Sequence, residues 1–256
     1  MTLIHVCVAL ALLLSVDAVA AVDQPWREIR FAVVAQFPPF QSRDSQGRLV
    51  GLNIDLGNAL CQQLNVRCTW VDQVFIENFK ALEARQFDAI IGMAPTPERR
   101  RSVSFTDNLY PFTTRLVARK NSGLMPTAKS LKGKRVGVLL GSNREAFARS
   151  KWARRGVIIE GFWLNAELIR SLVAGDIDAT LQGSVEIRDT LLDTEAGQDF
   201  DFLGPAVSAE HLGEGVAIAL RKTDTTLRNE LNRALEQLKQ NGEYQRILAP
   251  YRLEIP

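Results

Sequence analysis

The chain has 256 residues, of which 46% are hydrophobic and 23% are charged, a balance that indicates a globular protein and excludes a disordered chain. Its formal net charge is +2, and no basic run is interleaved with aromatic residues, so we expect no nucleic-acid binding. With only three cysteines and two histidines, we also expect no metal centre and no cofactor.

The first segment, residues 1–20, has the composition of an export signal. It contains an unbroken apolar run at residues 6–14 and then a small-residue pattern, Ala-Val-Ala, that ends at Ala20. We predict a secretory signal peptide that is cleaved after Ala20 or Ala21. An uncleaved membrane anchor is the competing interpretation, but the run is shorter than the ~20 residues that a spanning helix needs. The mature protein is therefore expected to be exported, and the periplasm is the compartment that the resemblance described below implies.

Strand and helix patterns alternate along the rest of the chain. Residues 28–34 form a strand pattern, and residues 55–64 form a helix pattern with Leu56, Leu60 and Leu64 on one face. Repeated alternation of this kind predicts parallel sheets covered by helices on both faces, which is an α/β fold.

Two cysteines, Cys61 and Cys68, lie at the end of that helix and the start of the next strand. In an oxidising compartment we expect them to form a disulfide. Because the loop that it closes is short, the bond should contribute about 2 kcal/mol or less. Metal binding is the competing interpretation, but His5 and His211 are the only histidines in the sequence.

The two halves of the chain repeat the same sequence patterns. In residues 81–92 and again in residues 171–183, a helix ends, an Asp-Ala pair opens a buried strand, and a glycine closes it. Residues 30–40 and 134–143 likewise both form a strand that breaks into a loop before a helix. This repetition predicts two α/β lobes of about 100 residues each.

The C-terminal part is expected to return to the first lobe, through a strand at residues 213–220 and an amphipathic helix at residues 227–238. Lobe 1 would then combine residues 27–114 and 214–256, and lobe 2 would comprise residues 115–213. Two crossings between lobes can act as a hinge.

In α/β sheets of this kind, ligands bind outside the carboxyl ends of the strands. The loops around Phe37 and at residues 92–100, 141–143 and 183–186 all follow predicted strands. We therefore expect these loops to face one shared crevice.

Six short motifs in the chain carry a resemblance to a known family. They are PPF at 38–40, GLNIDL at 51–56, FDAIIGM at 87–93, TPER at 96–99, FTD at 105–107 and LKGKRVGV at 131–138. Together they resemble the periplasmic amino-acid-binding proteins of ABC importers, in particular the lysine/arginine/ornithine and histidine binders. The resemblance implies a two-lobed, periplasmic-binding-protein-like (type II) fold that closes on a small molecule. It also implies a permease partner in the inner membrane and a monomeric protein.

The resemblance implies an arginine that holds the ligand's carboxylate, and either Arg99 or Arg100 fits the pattern. A guanidinium fork there would bind a carboxylate through two parallel bonds. A solvated basic run is the competing interpretation. The hydroxyl expected five residues earlier is missing, because Ala94 or Pro95 stands there, and Thr96 or the backbone would have to replace it.

Other residues are expected to complete the carboxylate site. Gly92 and Met93 end the first-lobe strand, and in the second lobe Ser142 and Asn143 match the loop that opens the carboxylate-binding helix. Backbone N–H groups at a helix start favour an anion whatever the side chains are. Ser142 acting only as a helix N-cap is the competing interpretation.

The chain differs from the family it resembles at the two positions where acids would bind the positive groups of the ligand. Gly183 stands in place of the acid that pairs with the α-ammonium, and Val34 in place of the acid that meets a distal cation. Losing a buried charge partner costs about 2–5 kcal/mol. We therefore expect Gly183→Asp to improve binding of ordinary α-amino acids. Phe37 and Phe75 stand where the ligand is sandwiched between aromatic rings, although either ring alone is equally expected in a core.

These features favour a periplasmic solute-binding component of an ABC importer that captures an amino acid or an opine-like derivative. The alternative is a periplasmic enzyme on the same fold, similar to cyclohexadienyl or arogenate dehydratases. In that case Glu186 or Glu210 would serve as a general acid.

Overall fold

The computed structural model describes residues 26–251 and residue 253. The predicted signal peptide at residues 1–20 lies outside the described residues.

The strands and helices alternate along the chain as the sequence predicts. The strands are β1 (Glu28–Val33), β2 (Gln36–Phe37), β3 (Gln41–Arg43), β4 (Leu49–Val50), β5 (Arg67–Asp72), β6 (Ala89–Met93), β7 (Val103–Phe105), β8 (Thr114–Arg119), β9 (Arg135–Leu139), β10 (Ile158–Phe162), β11 (Ala179–Gly183), β12 (Phe200–Phe202) and β13 (Ala217–Arg221). The helices are α1 (Leu52–Gln63), α2 (Asn78–Glu83), α3 (Asn143–Lys151), α4 (Asn165–Ala174), α5 (Ser184–Ile187), α6 (Thr225–Gln240) and α7 (Glu243–Leu248).

Two five-stranded sheets form the centres of two lobes. The first has the order β5-β1-β6-β13-β7 and the second the order β10-β9-β11-β8-β12. In each sheet the first three strands are parallel, and the fourth is antiparallel to both of its neighbours. This shared arrangement of three parallel strands and an antiparallel fourth confirms the prediction of two α/β lobes built on one plan.

The chain crosses between the sheets at two places. It leaves the first sheet after β7 to enter the second with β8, and it returns after β12 to complete the first sheet with β13. The helices that follow, α6 and α7, pack against α1 in the first lobe. Their apolar stripe, which includes Leu231 and Leu235, is core, as the sequence predicts.

Helix α1 begins three residues earlier than its leucine pattern alone predicts. Gly51 precedes it with φ +121°, a conformation that favours glycine. A Cβ at Gly51 would lie 2.6 Å from the carbonyl oxygens of Pro39 and Phe40, so only glycine lets the chain turn this closely. The helix then buries Leu56 and Leu60 against the first sheet.

Cys61 in α1 and Cys68 in β5 form a disulfide, as predicted. The bond joins a helix to the edge strand that follows it. None of the described helices is long and apolar enough to cross a membrane.

Candidate functional site

A cavity lies between the two lobes, at the carboxyl ends of the strands of both sheets. Loops that the sequence assigns to one crevice do meet there. Its lining includes, from the first lobe, Val34, Phe37, Phe75, Gly92, Ala94 and Arg99 and, from the second, Leu139, Ser142, Asn143, Arg144 and Glu186.

Four candidate residues are not among those that line this cavity. Met93 is buried in the hydrophobic core of the first lobe. Thr96 is buried as well, and its Oγ1 accepts a hydrogen bond of 3.2 Å from the backbone N–H of Arg99. Arg100 is exposed, with its guanidinium 5.3 Å from the ring centre of Phe105. The fourth, Gly183, ends β11 behind the cavity wall. Their roles in ligand binding stay predictions.

Arg99 links the two lobes at the cavity. Its Nη1 donates to the carbonyl of Ala94 at 3.0 Å, and its Nη2 donates across the cleft to the carbonyl of Gly141 at 3.1 Å. The guanidinium also lies 5.8 Å and 5.7 Å from the ring centres of Phe75 and Phe79. Burial, helped by the positive charge of Arg144, lowers the pKa of Arg99 to about 10. Arg99 therefore remains protonated at neutral pH and brings a poorly solvated positive charge into the cleft.

The start of α3 presents backbone N–H groups on the opposite side of the cavity. Ser142 acts as the N-cap, since its Oγ accepts a hydrogen bond of 3.1 Å from the N–H of Glu145. The side chain of Asn143 donates to the carbonyl of Leu212 in the returning crossing. The first N–H groups of a helix have no acceptor within it and favour an anion.

A buried ion pair between Arg144 and Glu186 forms part of the second-lobe wall. Arg144 Nη1 lies 2.9 Å from Glu186 Oε1, and the two side chains are only 6% and 0% exposed. The backbone N–H of Gly183 donates to the same Oε1 at 2.9 Å. The guanidinium of Arg144 lies 4.6 Å from the ring centre of Phe112. Burial lowers the pKa of Arg144, and the nearby Glu186 carboxylate opposes that shift.

Sequence reasoning missed Arg144, and it placed Glu186 only in a loop of the shared crevice and, for the enzyme alternative, as a general acid. The two residues are 42 positions apart, on α3 and α5, and no motif connects them. The one available signal was that Arg144 directly follows the predicted carboxylate loop.

A chain of hydrogen bonds between neutral groups on the first-lobe side was also missed. Asn53 Nδ2 donates to Gln41 Oε1 at 2.7 Å, and the Tyr110 hydroxyl donates to Asn53 Oδ1 at 2.8 Å. Burial raises the pKa of Tyr110, so its hydroxyl stays protonated. These side chains satisfy one another and hold the wall in place.

The expected effect of Gly183→Asp on binding stays a prediction, and the structure adds a steric cost to it, because the space beside Gly183 is already filled. A Cβ there would lie 2.5 Å from Glu186 Oε2 and 2.7 Å from both Arg144 Nη2 and Phe112 Cε2. Real Cβ atoms do not approach neighbours this closely. An aspartate at this position would have to displace three packed side chains and place a second carboxylate beside Glu186.

Two lobes with the same sheet arrangement, closed around a cavity that both of them line, define a periplasmic-binding-protein-like (type II) ligand-binding protein. The sequence profile of the bacterial extracellular solute-binding proteins, family 3, matches residues 29–254, and the chain belongs to this family.

Individual relatives agree with this assignment. The chain is 39% identical to the histidine-binding periplasmic protein of Escherichia coli K12 over 236 residues, which is 91% of this chain and 90% of that protein. It is also 39% identical to the lysine/arginine/ornithine-binding periplasmic protein of the same organism over 247 residues, which is 95% of each chain. Among solved structures, an ancestral arginine-binding protein bound to arginine is similar, with a TM-score of 0.82 and 30% identity. That similarity covers 89% of this chain and 99% of the other.

Family membership confirms the prediction of a solute-binding protein. It counts against the dehydratase-like alternative, because these relatives are binding proteins and not enzymes.

Proposed function

We propose that this protein is the periplasmic solute-binding component of an ABC importer and that it captures an amino acid or an amino-acid derivative by closing its two lobes. The names of its relatives, which are periplasmic binders of histidine and of lysine, arginine and ornithine, support this ligand class. The observation that carries the proposal is the position of Arg99, a charged group inside the cavity that contacts both lobes.

Arg99 is the proposed anchor for the ligand's carboxylate. A guanidinium has five N–H donors, and two of those on Arg99 are bonded to carbonyl groups. The remaining donors form no hydrogen bond with the described residues and can form charge-assisted hydrogen bonds with an anion. An anion also offsets the cost of desolvating Arg99, and the start of α3 offers it further donors from the opposite lobe. Arg100 points out over Phe105 and is not proposed to contact the ligand.

An opine-like ligand, with a second carboxylate, is the second candidate. The charged groups that line the cavity are the guanidiniums of Arg99 and Arg144 and the carboxylate of Glu186. A ligand with one cationic nitrogen and two carboxylates would balance these charges in a desolvated site. A dibasic amino acid would bring a second cation to a site where Val34 offers no partner.

The remaining parts of the proposal concern the whole protein. Residues 1–20 would be removed as a signal peptide on export. Lobe 1 would comprise residues 27–114 and 214–256, and lobe 2 residues 115–213, a division that the strand membership of the two sheets supports. The mature protein would act as a monomer, deliver its ligand to a permease in the inner membrane and bind no nucleic acid.

A thermal-shift screen of the mature protein tests the ligand class, with amino acids, opines, polyamines and small carboxylates as the panel. A ligand at a hundred times its dissociation constant should stabilise the protein by about 2.7 kcal/mol. Calorimetry on each positive compound should then show that Arg99→Ala weakens binding by about 2 kcal/mol or more. Arg100→Ala is the matched control and should leave the affinity within about twofold of wild type. Equal losses in the two variants, or no amino acid or derivative bound by the wild type, would contradict the proposal.

A further inference from the structure

One oxygen of the Glu186 carboxylate lacks a partner in the wall of the cavity. Oε1 forms the ion pair with Arg144 Nη1 and accepts a hydrogen bond from the Gly183 backbone, whereas Oε2 is buried without a hydrogen-bond donor among the described residues. The side chain is 0% exposed. A buried carboxylate oxygen without a donor is costly, because it has lost its water and gained nothing in exchange.

Glu186 Oε2 lies close to the position that a side chain at residue 183 would occupy. Glu186 Oε2 lies 2.5 Å from the point where a side chain at position 183 would place its Cβ. In an aspartate, ordinary bond lengths put the carboxylate oxygens about 2.4 Å from the Cβ. Glu186 Oε2 therefore fills part of the volume that an aspartate side chain at position 183 would need.

We propose that Glu186 has taken over the recognition of the ligand's protonated nitrogen, through Oε2, and that Gly183 is required because any side chain there would displace it. The ligand class is a compound that carries a carboxylate and a protonated nitrogen on the same carbon atom. Arg144 is a positioning residue, since it holds Oε1 and leaves Oε2 for the ligand. Because Glu186 is fully buried when the lobes are closed, the ligand reaches it before closure. This inference rests on the proposed function, which supplies the carboxylate anchor.

Glu186→Gln tests the role of Oε2 with little change in shape. The amide oxygen of glutamine can still accept from Arg144 and from the Gly183 backbone, whereas its NH₂ group replaces Oε2 by a donor. The matched control is Glu210→Gln, which removes the same charge from an exposed position at the outer rim of the cleft.

The readout is the preference for an α-ammonium over an α-hydroxyl, measured by calorimetry. The probe pairs are L-arginine with its 2-hydroxy analogue and L-glutamate with L-2-hydroxyglutarate. Wild type and Glu210→Gln should prefer the ammonium compound of the pair that binds by about tenfold to a hundredfold. In Glu186→Gln the preference should fall to about twofold or less, with the affinity for the hydroxy compound nearly unchanged. An undiminished preference in Glu186→Gln would overturn the inference and leave the proposed function intact.

Placing an aspartate at position 183 gives a second test. Its first measurement, the Tm, is made on the unliganded protein. Gly183→Asp alone should lower Tm by several degrees, because the new side chain collides with Glu186. In a Glu186→Ala background the same change should lower Tm less, because one of the three close contacts is gone and the new carboxylate can pair with Arg144, and it should restore the ammonium preference to about tenfold. An equal drop in Tm in both backgrounds would overturn the inference, even if the wild type bound none of the probes and the proposed function failed separately.

Discussion

The ion pair between Arg144 and Glu186 should dominate the stability of the second-lobe wall. Arg144→Ala would leave the Glu186 carboxylate in a dry site with only the Gly183 N–H as a donor, since both side chains are at least nine-tenths buried and pair at 2.9 Å. Removing one partner of a buried pair costs about 3–5 kcal/mol. The lost contact with the ring of Phe112 adds to this cost. For a chain of this size the loss corresponds to a decrease in Tm of about 6–20 °C.

Urea unfolding of the unliganded mature protein, followed by circular dichroism, measures this loss directly. The control is Arg149→Ala, which removes an arginine of the same helix that pairs with Glu145 at 2.8 Å but is 49% exposed. An exposed pair contributes about 0.5 kcal/mol. Replacing Arg144 and Glu186 together by Met and Leu should recover most of the stability, because an apolar pair avoids both desolvation costs. A loss in Arg144→Ala no larger than that in Arg149→Ala would refute the reasoning.

Three further predictions concern the disulfide and the closure of the lobes. Protein isolated from the periplasm should have a mass two hydrogens below that of its reduced form, owing to the bond between Cys61 and Cys68, and two free thiols would contradict this. Replacing both cysteines by serine should lower the free energy of unfolding by about 2 kcal/mol or less. Saturating ligand should reduce the radius of gyration in solution scattering, because contacts such as that of Arg99 with the Gly141 carbonyl require closed lobes. An unchanged radius with tightly bound ligand would argue against closure.

The choice between Arg99 and Arg100 shows where sequence reasoning about the site stops. Both arginines fit the motif, and they differ only in the direction of their side chains along one turn of 3-10 helix. That direction is set by what surrounds the turn. Arg99 contacts the rings of Phe75 and Phe79 and donates to the carbonyl of Gly141. Arg100 lies over the ring of Phe105 on the outside. None of these neighbours adjoins the motif in sequence.

The sequence by itself determined the α/β class, the two lobes on one plan, the disulfide and the loops that border the cleft. Each of these is encoded locally, because the period of apolar residues selects strand or helix and parallel strands place their following loops at one edge of a sheet. The bond between Cys61 and Cys68 needed only a short loop and an oxidising compartment.

Only the tertiary structure decided how the cleft is charged. Arg144 and Glu186 meet because α3 and α5 begin at the carboxyl ends of the neighbouring parallel strands β9 and β11, and burial then makes their pairing obligatory. In the sequence, Gly183 looked like the loss of an acid. In the structure, the absence of a side chain at Gly183 leaves the space that the Glu186 carboxylate occupies. A pattern of residue types along the chain cannot show that Glu186 lies in the space beside Gly183. Which side chain fills a given volume is decided only when the lobes have folded.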